Sequence, residues 1–82
     1  MSLPSTDITL ANLKPGEMAK ILNISQGRMI RQRLLNLGIV PGEEVSIIRG
    51  GGNHPLVLEI RGTKVALGAG MAAKVTVVPI SS

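Results

Sequence analysis

Two copies of the sequence Pro-Gly-Glu constrain what this chain can fold into. They begin at Pro15 and Pro41, and a short apolar segment follows each of them. Proline suits the second position of a turn and glycine the third, so both copies predict a tight turn that leads into a strand. We therefore assign a structural role to Pro15, Gly16, Pro41 and Gly42, whose contribution is backbone geometry rather than chemistry.

The two copies also predict which way the following strands face. They are 26 positions apart, and at the same spacing Ala19 matches Val45 and Ile21 matches Ile47. The first strand taken alone is ambiguous, because Ile21 and Leu22 are adjacent apolar residues. Since side chains alternate between the two faces of a strand, the match predicts that all four matched residues point into the core.

The rest of the chain consists of short apolar segments separated by turn residues. Gly62-Thr63 predicts a two-residue hairpin turn, and Gly68–Ala73 predicts a single helical turn. Ile8–Leu13 has room for one or two helical turns capped by Thr9 or Asp7, because Pro15 prevents continuation. The predicted strands are Met18–Ile24, Val45–Arg49, Leu56–Arg61, Lys64–Leu67 and Lys74–Ile80. The inward side chains are Leu56, Leu58 and Ile60 in the third of these strands and Val75 and Val77 in the fifth. Pro79 is predicted to lie at an edge of the sheet.

These elements predict a mainly β fold, a small antiparallel barrel of about five strands with one α-helix inserted after the first strand. Closing a small sheet into a barrel removes its exposed edges. The 82 residues suffice for one small domain. We place that domain at residues 8–80, with tails at 1–7 and 81–82.

The inserted helix is predicted to begin after Ser25, which can act as its N-cap, and to end at Gly38, which is well suited to a left-handed C-cap. At about 100° per residue, Ile30, Leu34 and Leu37 form one narrow apolar stripe. The stripe predicts that these three side chains attach the helix to the barrel, so we assign Leu34, Leu37 and Gly38 to the structural motif.

The other sides of this helix carry residues that the core does not require. Arg28 and Arg31 lie on the far side, Arg33 lies at the edge of the stripe, and Leu35 lies about 140° from Ile30. Two interpretations stay open: a solvated basic face, or a surface that contacts an acidic partner with Leu35 at its centre. We predict Arg28, Arg31, Arg33 and Leu35 as the partner-binding residues.

The composition narrows the classes of partner. The net charge of +4 permits an acidic protein surface, a nucleic acid or an anionic membrane. The chain has no Phe, Tyr or Trp, so it has no ring on which to stack a base or to line a groove for proline-rich peptides. Nucleic acid is therefore not favoured. There is no apolar run near the ~20 residues that span a bilayer, and no cysteine for a disulfide.

Residues for catalysis or metal binding are sparse. Glu43 and Glu44 are adjacent on a strand and point to opposite faces, so they do not form an acid–base pair. A metal site needs several convergent ligands, and His54 and Glu59 are the only candidates near their loop. We predict no enzyme activity and no metal cofactor. His54 and Glu59 together could give at most weak binding of Fe(II) or Zn(II).

One ordered set of motifs runs through the whole chain. It consists of L-x-x-L-K-P-G-E, then R-L-L-N-L-G-I-V-P-G-E-E-V, then R-G-T-K-V-A-L. From Ile8 to Ile80 the sequence resembles the ferrous iron transport protein A (FeoA) family. The residues that carry the resemblance are Leu10, Leu13, Lys14 to Glu17, Arg33, Leu34, Leu37, Gly38, Pro41, Gly42, Arg61, Gly62, Ala66 and Leu67.

The resemblance implies an SH3-like barrel in a cytoplasmic bacterial protein. It further implies an accessory protein that docks on the cytosolic GTP-binding domain of a membrane transporter of ferrous iron and contacts the membrane only through that partner. An arginine finger acting in trans on the partner's nucleotide is conceivable, although a non-catalytic contact is favoured. The alternative is a metal-regulatory module, as in iron-dependent repressors. The sequence departs from the family at Gly68–Met71, where a charged and then an acidic residue are usual.

Overall fold

The computed structural model describes residues 8–24, 27–50 and 54–80. The predicted tails at 1–7 and 81–82, with Asp7, and Ser25 lie outside these ranges. The N-cap position of the inserted helix is Gly27, so the prediction of Ser25 for that position is wrong. The strands are β1 (Ile8–Thr9), β2 (Met18–Ile24), β3 (Glu44–Arg49), β4 (Leu56–Ile60), β5 (Thr63–Leu67) and β6 (Val75–Ile80). The helices are α1 (Arg28–Asn36) and α2 (Ala69–Ala72), and a 3-10 turn spans Leu10–Asn12.

The six strands form one antiparallel sheet in the order β1-β6-β2-β3-β4-β5. A single cluster of buried apolar side chains lies on its inner face. Leu10, which follows the strand at one end of the sheet, and Leu67, on the strand at the other end, belong to the same cluster. The sheet must therefore curl around this core, and the predicted fold class is confirmed.

Each Pro-Gly-Glu turn is hydrogen-bonded to the strand that follows the other turn. Gly16 N–H donates to the Ile47 carbonyl and Gly42 N–H donates to the Ile21 carbonyl, both at 2.8 Å. Ala19 pairs directly with Val45, its own match at the 26-residue spacing. The two halves of the motif are thus related by an approximate two-fold axis through this pair. Gly16 and Gly42 adopt φ values of 90° and 95°, which glycine tolerates best.

The approximate symmetry extends to the irregularities of the two strands. Leu22 is an extra residue where β2 pairs with β6, and Ile48 is an extra residue where β3 pairs with β4. Both bulged side chains are exposed. The predicted inward residues Ala19, Ile21, Val45 and Ile47 are all buried, which confirms the prediction from the repeated turn.

The helix α1 is attached to the core by fewer residues than its apolar stripe predicts. Leu34 is fully buried and Ile30 packs against the core, but Leu37 is 42% exposed, so its predicted burial is wrong. Gly38 has the expected left-handed φ of 91°, and the chain turns there so that Ile39 enters the core instead.

The end of α1 has the hydrogen bonds of a Schellman motif. Ile39 N–H donates to the Leu34 carbonyl and Gly38 N–H donates to the Leu35 carbonyl, both at 2.9 Å. This motif brings Leu34 and Ile39 to the same side of the chain, where both are fully buried. Ile39 therefore occupies the place in the core that helical periodicity assigned to Leu37.

Two further predictions need correction at the level of single residues. Ile8–Thr9 is strand rather than helix, because it pairs with β6 from the other end of the chain. The turn between β4 and β5 is Arg61-Gly62 rather than Gly62-Thr63, since Ile60 pairs with Thr63. Both turn residues have positive φ, as the favoured type I′ hairpin requires.

Two further local predictions agree with the structure, and a third stays a prediction. The 3-10 turn lies within the predicted helical segment, with Thr9 at its cap position donating its N–H to Asn12 Oδ1. Val75 and Val77 are buried as predicted. Pro79 lies in β6, where it is paired with Ala19 of β2. Its predicted place at an edge stays a prediction, because the residues before Ile8 lie outside the described ranges.

Candidate partner-binding site

Most of α1 faces away from the core. Arg28, Arg31 and Arg33 are exposed, and Leu35 is 37% exposed. The helix contains no Asp or Glu, so its own residues do not neutralise the three guanidinium charges. This combination of positive charge and exposed apolar surface is the feature that the fold itself does not require.

The structure groups three of the four predicted residues on one side of the helix. At about 100° per residue, Arg28, Arg31 and Leu35 fall within about 60° of one another. Arg33 falls about 140° from Arg28 and lines neither of the clefts described below. The part that Arg33 takes in binding stays a prediction.

Two adjacent surface clefts border this group. One has a volume of about 240 Å³ and is lined by Gly27, Arg28 and Arg31. The other has a volume of about 300 Å³ and is lined by Asn23, Ile24, Arg31, Leu35 and Pro41. Arg31 belongs to both, and its Nη2 donates to the Ile24 carbonyl at 3.3 Å, which holds the guanidinium between them.

The fold contributes two site residues that the sequence did not indicate. Asn23 and Ile24 reach the second cleft because the bulge at Leu22 shifts the end of β2 against β6. The Asn23 Oδ1 accepts a hydrogen bond from Ile24 N–H at 2.8 Å, which orients the amide. Nothing local in the sequence predicts this, since the cleft exists only when α1 and the Pro41 turn fold beside β2.

Glu43 takes part in a structural contact. Its carboxylate forms an ion pair with Arg61 at 3.0 Å, in which the Glu43 side chain is 23% exposed. This pair connects the second Pro-Gly-Glu turn to the hairpin between β4 and β5. Glu43 therefore has a partner within the domain.

The metal-ligand candidates do not form a cluster in the structure. His54 and Glu59 are both exposed. Among residues 8–24, 27–50 and 54–80, no group of three or more His, Asp or Glu residues is close enough together to hold a metal ion. The longest helix in those ranges has nine residues, far fewer than the ~20 of a membrane span.

A small antiparallel sheet that curls around one core and carries a helix in an excursion between its strands defines an SH3-like domain. The FeoA domain family model matches residues 8–79, and the chain belongs to this family. The resemblance inferred from the motifs is therefore confirmed.

Similar proteins share both sequence and fold. A Methanocaldococcus jannaschii protein named Fe(2+) transport protein A is 35% identical over 68 residues, which cover 83% of this chain and 82% of that protein. A crystal structure of the iron uptake regulatory protein FeoA has a TM-score of 0.85 at 27% identity, covering 89% of this chain and 97% of that one. Zinc-complexed FeoA from Stenotrophomonas maltophilia, described as a procaryotic SH3 domain protein, has a TM-score of 0.74 at 31% identity. The match covers 85% of this chain and 88% of that one.

Proposed function

We propose that this protein is a non-catalytic accessory of ferrous iron transport that docks through α1 on the cytosolic GTP-binding domain of a membrane transporter and adjusts its assembly or activity. Membership of the FeoA family supports the link to iron transport. The M. jannaschii relative is named for Fe(2+) transport, and the S. maltophilia relative is described as a candidate activating factor of that process. The docking surface is inferred from this chain alone.

The observation that carries the docking proposal is the exposure of Leu35 on the same side of α1 as Arg28 and Arg31. An apolar centre with a charged border is the usual anatomy of a protein interface. Arg28 and Arg31 supply positive charge on the same side of the helix, so the complementary surface is acidic. A protein that acts by such contact works in the cytoplasm, where the GTP-binding domain lies, and approaches the membrane only through its partner.

We expect Leu35→Glu to weaken docking at least about tenfold while leaving the fold intact. The substitution places a carboxylate at the apolar centre of the interface, where it is desolvated on binding. In the free protein Leu35 is 37% exposed, so the unfolding temperature should change by only a few degrees. Affinity is measured by biolayer interferometry against the full-length transporter in nanodiscs, and folding by circular dichroism.

The control for this substitution is Ile48→Glu. Ile48 is 41% exposed, close to the exposure of Leu35, but lies on the bulge of β3. The Ile48→Glu protein should bind the transporter with the affinity of the wild type. Unchanged affinity of the Leu35→Glu protein, or its unfolding, would count against the interface at α1.

We further propose that the domain functions without a tightly bound metal. His54 and Glu59 offer too few ligands for a stable site of their own. Calorimetric titration of the protein with Zn(II), or with Fe(II) under anaerobic conditions, should show no saturable binding at micromolar concentration. The His54→Ala variant should give the same trace, and saturable binding that disappears in this variant would establish a metal site at the loop before β4.

A further inference from the structure

We infer that the α1 site recognises a short protein segment in which an apolar side chain stands beside an acidic one. The apolar side chain enters the cleft between β2, α1 and the Pro41 turn, and the carboxylate binds Arg31. The inference rests on the proposed function for the identity of the protein that carries the segment. Its chemistry follows from the two clefts alone.

The larger cleft is suited to one apolar side chain. Ile24, Leu35 and Pro41 give it three apolar walls, and Ile24 is itself almost completely buried. Its volume of about 300 Å³ is at the lower end of the roughly 300–1,000 Å³ typical of small-molecule sites, and it is open on one side. A space of this size and shape suits a single side chain better than a nucleotide or another large cofactor.

The smaller cleft is suited to an anionic group. Arg28 and Arg31 line it together with Gly27, which has no side chain to fill it. Within the described residues, the bond from Arg31 to the Ile24 carbonyl accounts for one of the five N–H groups of the guanidinium. The planar guanidinium binds a carboxylate through two parallel hydrogen bonds, a geometry that lysine cannot reproduce.

Arg31 borders both clefts and therefore determines the distance between the apolar side chain and the carboxylate of the bound segment. A carboxylate bound to Arg31 lies at the rim of the apolar cleft, so it must come from a residue next to the inserted apolar one or very near it. The amide of Asn23, which also lines this cleft, is oriented by its bond to Ile24 N–H and can contact the main chain of the segment.

The apolar cleft favours a protein segment over the other anionic partners that a basic helix can bind. A nucleic-acid backbone offers phosphates but no aliphatic side chain, and the chain has no aromatic residue to stack its bases. A membrane surface is bound by a broad apolar helix face, whereas the apolar surface here is a cleft bounded by Arg31 and Asn23. An acidic and apolar segment complements both clefts at once.

The test uses three blocked peptides and the full ¹⁵N-labelled chain. Their sequences are Gly-Asp-Leu-Asp-Gly, Gly-Asn-Leu-Asn-Gly and Gly-Asp-Gly-Asp-Gly, so that each control lacks either the charge or the apolar side chain. We expect the first peptide to shift the amide signals of Asn23, Ile24, Arg31 and Leu35, and to bind about tenfold more tightly than either control. Arg31→Gln should abolish the preference for aspartate over asparagine, and Arg49→Gln should preserve it.

Three results would overturn the inference. They are equal affinity for the aspartate and asparagine peptides, signal shifts confined to residues outside the two clefts, and shifts that follow the concentration of the protein itself, which would identify a second copy as the occupant. These outcomes do not depend on the transporter. Failure of the wild-type protein to bind the transporter would refute the proposed partner, while peptide discrimination would still establish the chemistry of the site.

Discussion

Replacement of Leu34 by alanine is expected to lower the free energy of unfolding by about 2–5 kcal/mol, because it leaves a cavity under α1 where a fully buried side chain was. A domain of this size has a total stability of only about 4–12 kcal/mol. The loss should lower the unfolding temperature by at least about 10 °C. Urea denaturation followed by circular dichroism measures the free energy directly, with the slope on denaturant as a check on two-state behaviour.

The same helix end supplies the control for this prediction. Leu37 lies three positions farther on, and its side chain is 42% exposed, so Leu37→Ala should cost well under about 1 kcal/mol. The comparison holds residue type and neighbourhood constant and varies only burial. Equal losses for the two variants would mean that Leu37 is buried in solution, and the description of how α1 joins the core would be wrong.

Reversal of both site charges, in the double variant Arg28→Glu/Arg31→Glu, is expected to weaken docking on the transporter by about tenfold to hundredfold. Each substitution removes an attraction to the acidic partner surface and adds a repulsion, and charge pairs also determine the rate of association. Both residues are exposed in the free protein, so stability should change little. Binding kinetics measured at several salt concentrations test this, because the wild-type association rate should fall as ionic strength rises.

A second double variant separates the effect of position from that of net charge. Arg49→Glu/Lys64→Glu also changes the net charge from +4 to zero, but its substitutions lie on β3 and β5. It should retain most of the wild-type affinity. Equal weakening by the two variants would show that the overall charge of the domain, and not the α1 site, directs it to its partner.

The repeated turn made the sheet predictable to the level of single side chains. The match to the second strand resolved the facing of Ala19 and Ile21, which the pattern of the first strand could not resolve alone, because adjacent apolar residues fit both faces. The structure gives the physical reason. Ala19 and Val45 are paired with each other, so the equivalence seen in the sequence is an equivalence of position in the sheet.

The features that were missed depend on which elements meet and on how they end. Ile8–Thr9 is a strand only because β6 is available to pair with it, and two residues have no strand pattern of their own. Leu37 has the correct helical phase for burial, but the Schellman motif ends the helix and places Ile39 in the core. Helical phase describes positions around the axis and cannot show where the axis meets the sheet.

The candidate site was likewise predictable in part from the sequence. Arg28, Arg31 and Leu35 were predictable as residues that the core does not need, since all three belong to one helix and its period is known. The clefts that give them their chemistry were not predictable, because Asn23 and Ile24 come from a bulged strand end and Pro41 from a turn. A helix alone indicates that a surface is available, while its neighbours determine what the surface can bind.

The bonds of Ile21 also bear on how such a domain can change over evolutionary time. Ile21 donates to the Glu43 carbonyl and accepts from Gly42 N–H, so β2 and β3 separate at a single point and the excursion between them is closed there. Lengthening a loop closed in this way is inexpensive, at about 0.6 kcal/mol for each doubling. The excursion that carries α1 can thus diverge, or be exchanged for another recognition segment, on an unaltered sheet, provided that apolar side chains remain where Leu34 and Ile39 complete the core.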